Sequence, residues 1–214
     1  MDMETKRIEN NQVTISGEIV SNFEFSHEIY GEGFYVAQLA SERQSETKDI
    51  IPIMVSERLV DVKEDWIGQI IKVSGNFRSY NKHGENGHHL ELSVFAREFE
   101  PIKEMPFTNR ENQIFLDGYI CKQPTYRETP FGREIADILL AVNRPYGKSD
   151  YIPCIAWGRN ARFAESLGIG TRLKVCGRIQ SREYQKKISD NEYETRTAYE
   201  VSVSKLEVAE ETEE

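Results

Sequence analysis

The sequence predicts an all-β protein built as two tandem five-stranded Greek-key barrels, each with a short helix between its third and fourth strands. The first observation behind this is a long internal repeat. Asn112–Ile120 (NQIFLDGYI) repeats Asn11–Ile19 (NQVTISGEI) at an offset of 101 residues. The same offset carries Gly31 onto Gly132, Leu39-Ala40 onto Leu140-Ala141, Arg43 onto Arg144 and Ile51-Pro52 onto Ile152-Pro153. At an offset of 102, Gly68, Lys72-Val73, Gly75 and Ser79 fall on Gly170, Lys174-Val175, Gly177 and Ser181, so one indel lies within residues 56–68. A unit of roughly 95 residues can bury its own core, so the repeat is a pair of domains and not a solenoid. The second observation is strand-like patterning in both copies, and the third is one stretch of helical spacing in each.

Taken in order, apolar stretches rich in Val, Ile, Tyr and Phe fall at residues 12–21, 33–41, 49–55, 69–80 and 89–99 of the first copy. In the second they fall at 113–122, 134–143, 150–157, 171–184 and 196–206. Gly, Pro, Asn and Asp mark the breaks, as strands and turns require. Between the third and fourth strands, Leu59, Val62 and Trp66 within 56–66 have helical spacing, as do Ala161, Ala164 and Leu167 within 158–167. Three strands, a helix and two more strands is the order of the OB-fold barrel, whose helix plugs one end. The domains are expected at 1–104 and 105–206, with an acidic tail at 207–214 and a short joint at 101–111 holding the barrels side by side.

The composition, with 38% hydrophobic and 29% charged residues, fits a folded chain with a polar surface. No apolar run approaches the roughly 18 residues of a membrane span, and MDMETKRIEN lacks a signal-peptide core, so a cytoplasmic protein with no membrane partner is expected. Cys121, Cys154 and Cys176 lie in apolar strands without CxxC spacing and read as reduced core thiols. The net charge of −9 is unevenly spread: residues 1–104 hold 11 Lys+Arg against 19 Asp+Glu. Residues 105–206 carry 16 against 12, and the last eight residues add five glutamates. An acidic first domain therefore precedes a basic second one.

The second copy resembles the bacterial single-stranded DNA-binding proteins. The residues that carry the resemblance are Asn112–Gly118 (NQIFLDG), Leu139–Tyr146 (LLAVNRPY), Asp150–Arg159 (DYIPCIAWGR) and Gly170–Arg178 (GTRLKVCGR) followed by IQSREY, in the family's order. The first copy keeps the framework but matches only weakly beyond it. The resemblance implies sequence-independent binding of single strands and an assembly of four OB folds, here a homodimer of two-barrel chains. It also implies replication proteins as possible partners. The family's Gly/Pro/Gln-rich linker and terminal Pro-Phe do not follow the last strand, so the glutamate-rich end reads as a solubilising tail.

Sequence-tolerant binding needs flat rings for bases and cations for phosphates. Tyr146, Tyr151, Trp157 and Tyr184 stand at the family's stacking positions. Interleaved with them are Arg144, Lys148, Arg159, Arg172, Lys174, Arg178, Arg182 and Lys186, together with Arg162 and Lys187. Such rings also serve as core residues in barrels; as a set among ten cations they read as a binding platform. On the first copy these aromatics fall on Ser45, Ile50, Ser56 and Lys82, while Arg178 becomes Asn76 and Arg172 becomes Ile70. The expectation is a division of labour: the second barrel binds nucleic acid and the first is scaffold and assembly surface. Tyr30, Tyr80, Arg78 and His83, on or near first-copy hairpins, are the lesser candidates for contact. His83, His88 and His89 lack a cysteine or defined carboxylate partner and read as a solvated loop, so neither metal nor cofactor is expected. A primosomal replication protein N-like accessory protein is the alternative, and RNA binding remains open because stacking does not exclude a 2′-hydroxyl. No GxSxG, Walker or HExxH motif is present, so catalysis is not expected.

Overall fold

A computed structural model describes residues 9–43, 45–84, 87–103, 111–189 and 192–209, with the side chains of 81–89 left aside. The side chains of the histidine set, most of the joint and the end of the tail thus lie outside what is described. The first barrel is built from β1 (Asn11–Ile19), β2 (Glu24–Ile29), β3 (Glu32–Glu42), β4 (Lys48–Ser56), β5 (Ile70–Gly84) and β6 (Gly87–Pro101). The second is built from β7 (Asn112–Glu128), β8 (Glu134–Asn143), β9 (Ser149–Trp157), α1 (Arg159–Glu165), β10 (Arg172–Ser189) and β11 (Glu192–Val208). β1 and β2 together match the single long β7, so each barrel has five strands once the break after Ile19 is allowed for. In β7 the same place is marked by register shifts between Ile120 and Thr125.

Alternation sorts each strand into two faces. Ile15, Ile19, Leu39, Ile51, Ile53, Ile71, Val73 and Phe77 are fully enclosed in the first barrel, and Leu116, Leu140, Ile152, Leu173, Val175 and Ile179 in the second. Glycine is required at Gly118, because a Cβ there would sit 2.7 Å from the carbonyl oxygen of Ala141 on the next strand. Cys154 is buried, but Cys176 is exposed, which corrects the reading of all three thiols as core. Its neighbours Val175 and Gly177 bracket it on a strand whose inward positions are Leu173 and Val175, so Cys176 points out.

The helix expected in the first copy does not form. Residues 57–68 run as turns. Asp61 and Asp65 each accept the backbone N–H two residues on, from Lys63 (3.0 Å) and Ile67 (3.1 Å), and Trp66 Nε1 donates to Asp61 O (2.9 Å). These local side-chain bonds compete with helical hydrogen bonding. Val62 and Trp66 still pack on the core, Trp66 edge-on to Phe99 at 5.0 Å.

The two barrels share one hydrogen-bonded sheet in the order β10-β11-β9-β8-β7-β1-β5-β6-β4-β3-β2. They meet where β1 and β7 pair antiparallel, with Val13 opposite Ile114. Those two residues are equivalent in the repeat, so an approximate twofold axis passes between them.

Candidate nucleic-acid interface

The axis creates two matching junctions where the β-hairpin arm of each barrel reaches the other barrel. At one, Asp49 at the start of β4 accepts from Arg43 Nε (2.7 Å) and Nη2 (2.6 Å) of its own barrel. From the second barrel it accepts Arg178 Nη1 (3.2 Å) and the Ser181 N–H (2.8 Å). At the other, Asp150 at the start of β9 accepts from Arg144 of its own barrel, Nε at 2.6 Å with a second bond from Nη2. From the first barrel it accepts Arg78 Nη1 (3.0 Å) and the Ser79 N–H (2.6 Å). Both carboxylates are enclosed. The arginine that crosses moves by two positions between copies: Arg78 bonds Asn76, whereas Arg178 bonds Gln180. Burial on its own would raise the Asp49 carboxyl, but the Arg43 hydrogen bond, the Ser181 N–H and the two guanidinium charges outweigh it and hold Asp49 below the usual carboxylate range. Burial lowers Arg78 and Arg178, with Asp150 and Asp49 opposing the effect.

These contacts sort the cations named from sequence. Arg144 and Arg178 hold the barrels together, and Arg172 is forked onto Asp117, both bonds at 2.9 Å. All three have their donors turned toward carboxylates. Arg182 lies 3.7 Å from Glu200 and Arg162 2.9 Å from Glu134. Lys148 and Arg159 are exposed, Lys186 is half-buried, and none of the three has an ion pair among the described residues. Lys174 is exposed; the Glu207 carboxyl is held low by its hydrogen bond and charge pairing with Lys205, to which Lys174 adds.

The aromatics separate as well. Tyr151 and Trp157 alternate with the buried Ile152, Cys154 and Ala156, so both lie on the outer face of β9. Trp157 is half-buried and its Nε1–H donates to Ser202 Oγ at 3.1 Å on β11. Tyr146 sits in a one-turn 3-10 segment, Pro145–Gly147, in the left-handed region (φ 64°), with its side chain almost wholly in solvent. Tyr184 stands on the β10 arm, exposed, three residues past the Ser181 that docks on the first barrel. The four rings are therefore not one cluster: three belong to the β8–β9 side of the second barrel, and Tyr184 belongs to the β10 arm, paired with Arg196 of β11. Sequence reasoning passed over Tyr119, which is exposed and lies in one cross-strand row with Ala141 and Tyr151. The outward alternation of NQIFLDGYI was the available signal.

The same face of the first barrel is closed. Trp157 is replaced by Ser56, and the register places Phe95 where the second barrel has Ser202. Phe95 packs on Phe34 (5.8 Å), His27 stacks over Phe34 (5.1 Å) and Arg97 covers Phe95 (5.1 Å). Ring faces are spent on one another there. Tyr119 and Tyr151 become Glu18 and Ile50.

Comparison with known proteins places this barrel in a class. The Single-strand binding protein family profile matches residues 111–209. A Bacillus subtilis protein named single-stranded DNA-binding protein B is 35% identical over 91 residues, 39% of this chain and 80% of that protein. Single-stranded DNA-binding protein 3 of Listeria innocua is 37% identical over 81 residues, 35% of this chain and 51% of its own length. The chain thus spans about half the length of that relative. The wild-type single-stranded DNA binding protein from Thermus aquaticus superimposes with a TM-score of 0.71 over 95% of both chains at 23% identity, a match of fold through both barrels. The chain belongs to the single-strand binding protein family.

Proposed function

We propose that the chain binds single-stranded DNA without sequence preference, without catalysis, through the outer β8–β9 face of its second barrel. The observation that carries this is the difference between two copies of one fold. Tyr146, Tyr151 and Trp157 present rings beside the exposed Lys148 and Arg159, while the matching face of the first barrel is sealed by its own aromatics. Stacking contributes about 1–3 kcal/mol per base and tolerates any base, which suits coating of strands exposed in replication, recombination or repair. Domain limits of 1–104 and 105–206, a homodimer with four barrels, and action in the cytoplasm complete the reading.

A poly-dT titration followed by tryptophan emission tests it. Quenching is expected to survive Trp66→Phe, because Trp66 packs on Phe99, and to vanish with Trp157→Phe. Absence of binding at low salt refutes the reading. RNA of equal length in the same titration reports any preference for a 2′-hydroxyl.

A further inference from the structure

We infer that Tyr80, a residue of the first barrel, completes the nucleic-acid site of the second by adding a stacking ring across the junction. The inference rests on the reading above and extends it. Ser79 is the hub of the junction: its N–H donates to Asp150 Oδ1 (2.6 Å), its Oγ accepts the Tyr151 N–H (2.8 Å), and its carbonyl accepts Arg144 Nη2 (2.9 Å). One exposed tyrosine lies near Ser79, one near Asp150 and one near Arg144. Tyr80 follows Ser79, Tyr151 follows Asp150, and Tyr146 lies two residues past Arg144. Their relative exposures are 65%, 42% and 97%, so each ring is open to a ligand. Tyr80 shares its side of β5 with Arg78, whose guanidinium crosses to Asp150 at the start of β9. The Tyr80 side chain makes no ring contact or hydrogen bond among the described residues, so packing does not account for it.

The second junction supplies the control within the same molecule. There Ser181 binds Asp49 and the Ile50 N–H in the same way (2.8 and 3.2 Å), yet the corresponding neighbours are Arg182, Ile50 and Ser45. The scaffold is duplicated, but the three rings occur on one side only. A purely structural demand of the junction would have produced aromatics at both or at neither.

The test measures affinity of the full chain for a dT oligonucleotide. Tyr80→Ala is expected to weaken binding about fivefold or more, and Tyr80→Phe to stay within about twofold of the parent, because the ring face and not the hydroxyl does the stacking. In the unaltered protein, ultraviolet crosslinking to 5-iodouracil-substituted oligonucleotide is expected to label the peptide containing Tyr80. Full affinity in Tyr80→Ala beside a loss in Tyr151→Ala overturns the inference and leaves the second-barrel site standing. Should Tyr80→Ala fail to fold, labels confined to second-barrel peptides overturn it and a label at Tyr80 supports it. If the parent protein binds no dT, both readings fall.

Discussion

Replacing Asp49 by alanine removes one carboxylate and strands two guanidinium groups. The Asp49 side chain is 1% exposed and receives Arg43 at 2.6 Å and Arg178 at 3.2 Å, with the Ser181 N–H at 2.8 Å. Breaking a buried pair by removing one member typically costs about 3–5 kcal/mol, because the remaining charge is left uncompensated. In a chain of this size each kcal/mol lowers the melting temperature by about 2–4 °C, so a drop of about 6–20 °C is expected. Urea denaturation followed by circular dichroism gives the free energy directly. Asp117→Ala is the comparison: the Asp117 side chain is 13% exposed against 1% for Asp49 and among the described residues pairs with Arg172 alone, within its own barrel, and a partly exposed single pair contributes about 1 kcal/mol or less. A double substitution with Arg178→Ala would recover part of the loss, since it removes one of the stranded charges. Equal, small losses for Asp49→Ala and Asp117→Ala would refute the claim that the enclosed carboxylate clamps the barrels.

Three further outcomes follow from the same geometry. Lys148→Ala should reduce the slope of log affinity against log salt by about 0.7, as expected for one phosphate contact on a single strand; Arg178→Ala should leave that slope nearly unchanged while lowering stability. Because the folded Asp49 lies below its unfolded value, its contribution is complete above about pH 4 and is lost as pH falls further through the folded value; the stability gap between the parent and Asp49→Asn should narrow on acidification, and a constant gap from pH 7 to 2 would count against the assignment. Tyr184→Ala should weaken dT affinity several-fold whereas Ile50→Ala should not, and equal losses in a fluorescence titration would argue against the division between barrels.

Much of the fold was legible because the chain states it twice. Gly17 and Gly118, Gly75 and Gly177, and the inward apolar positions recur in register, and barrel closure demands them in both copies. The candidate site was legible in part. Tyr151 and Trp157 stand out because their counterparts are Ile50 and Ser56. For Arg144 the repeat held a further clue: it is preserved as Arg43 in the first copy, which marks a structural partner of Asp150. Arg178 carried no such clue, because its counterpart is Asn76 and the crossing arginine of the first copy sits at Arg78. Contacts between barrels depend on how the arms cross, and no spacing along the chain records that. The helix expected over residues 56–66 failed for a local reason, since Asp61 and Asp65 close turns on their own backbone.

The pairing of β1 with β7 places a near-symmetric contact inside a single polypeptide. In an assembly of identical subunits any substitution appears on both sides of the axis at once, and a change that helps one side must be tolerated by the other. Covalent fusion removes that constraint. Tyr80 can become a ring while its mate stays Arg182, and Ser202 can hold an indole while Phe95 seals its own face. The outcome is a molecule with a front and a back, whose two sides present different chemistry.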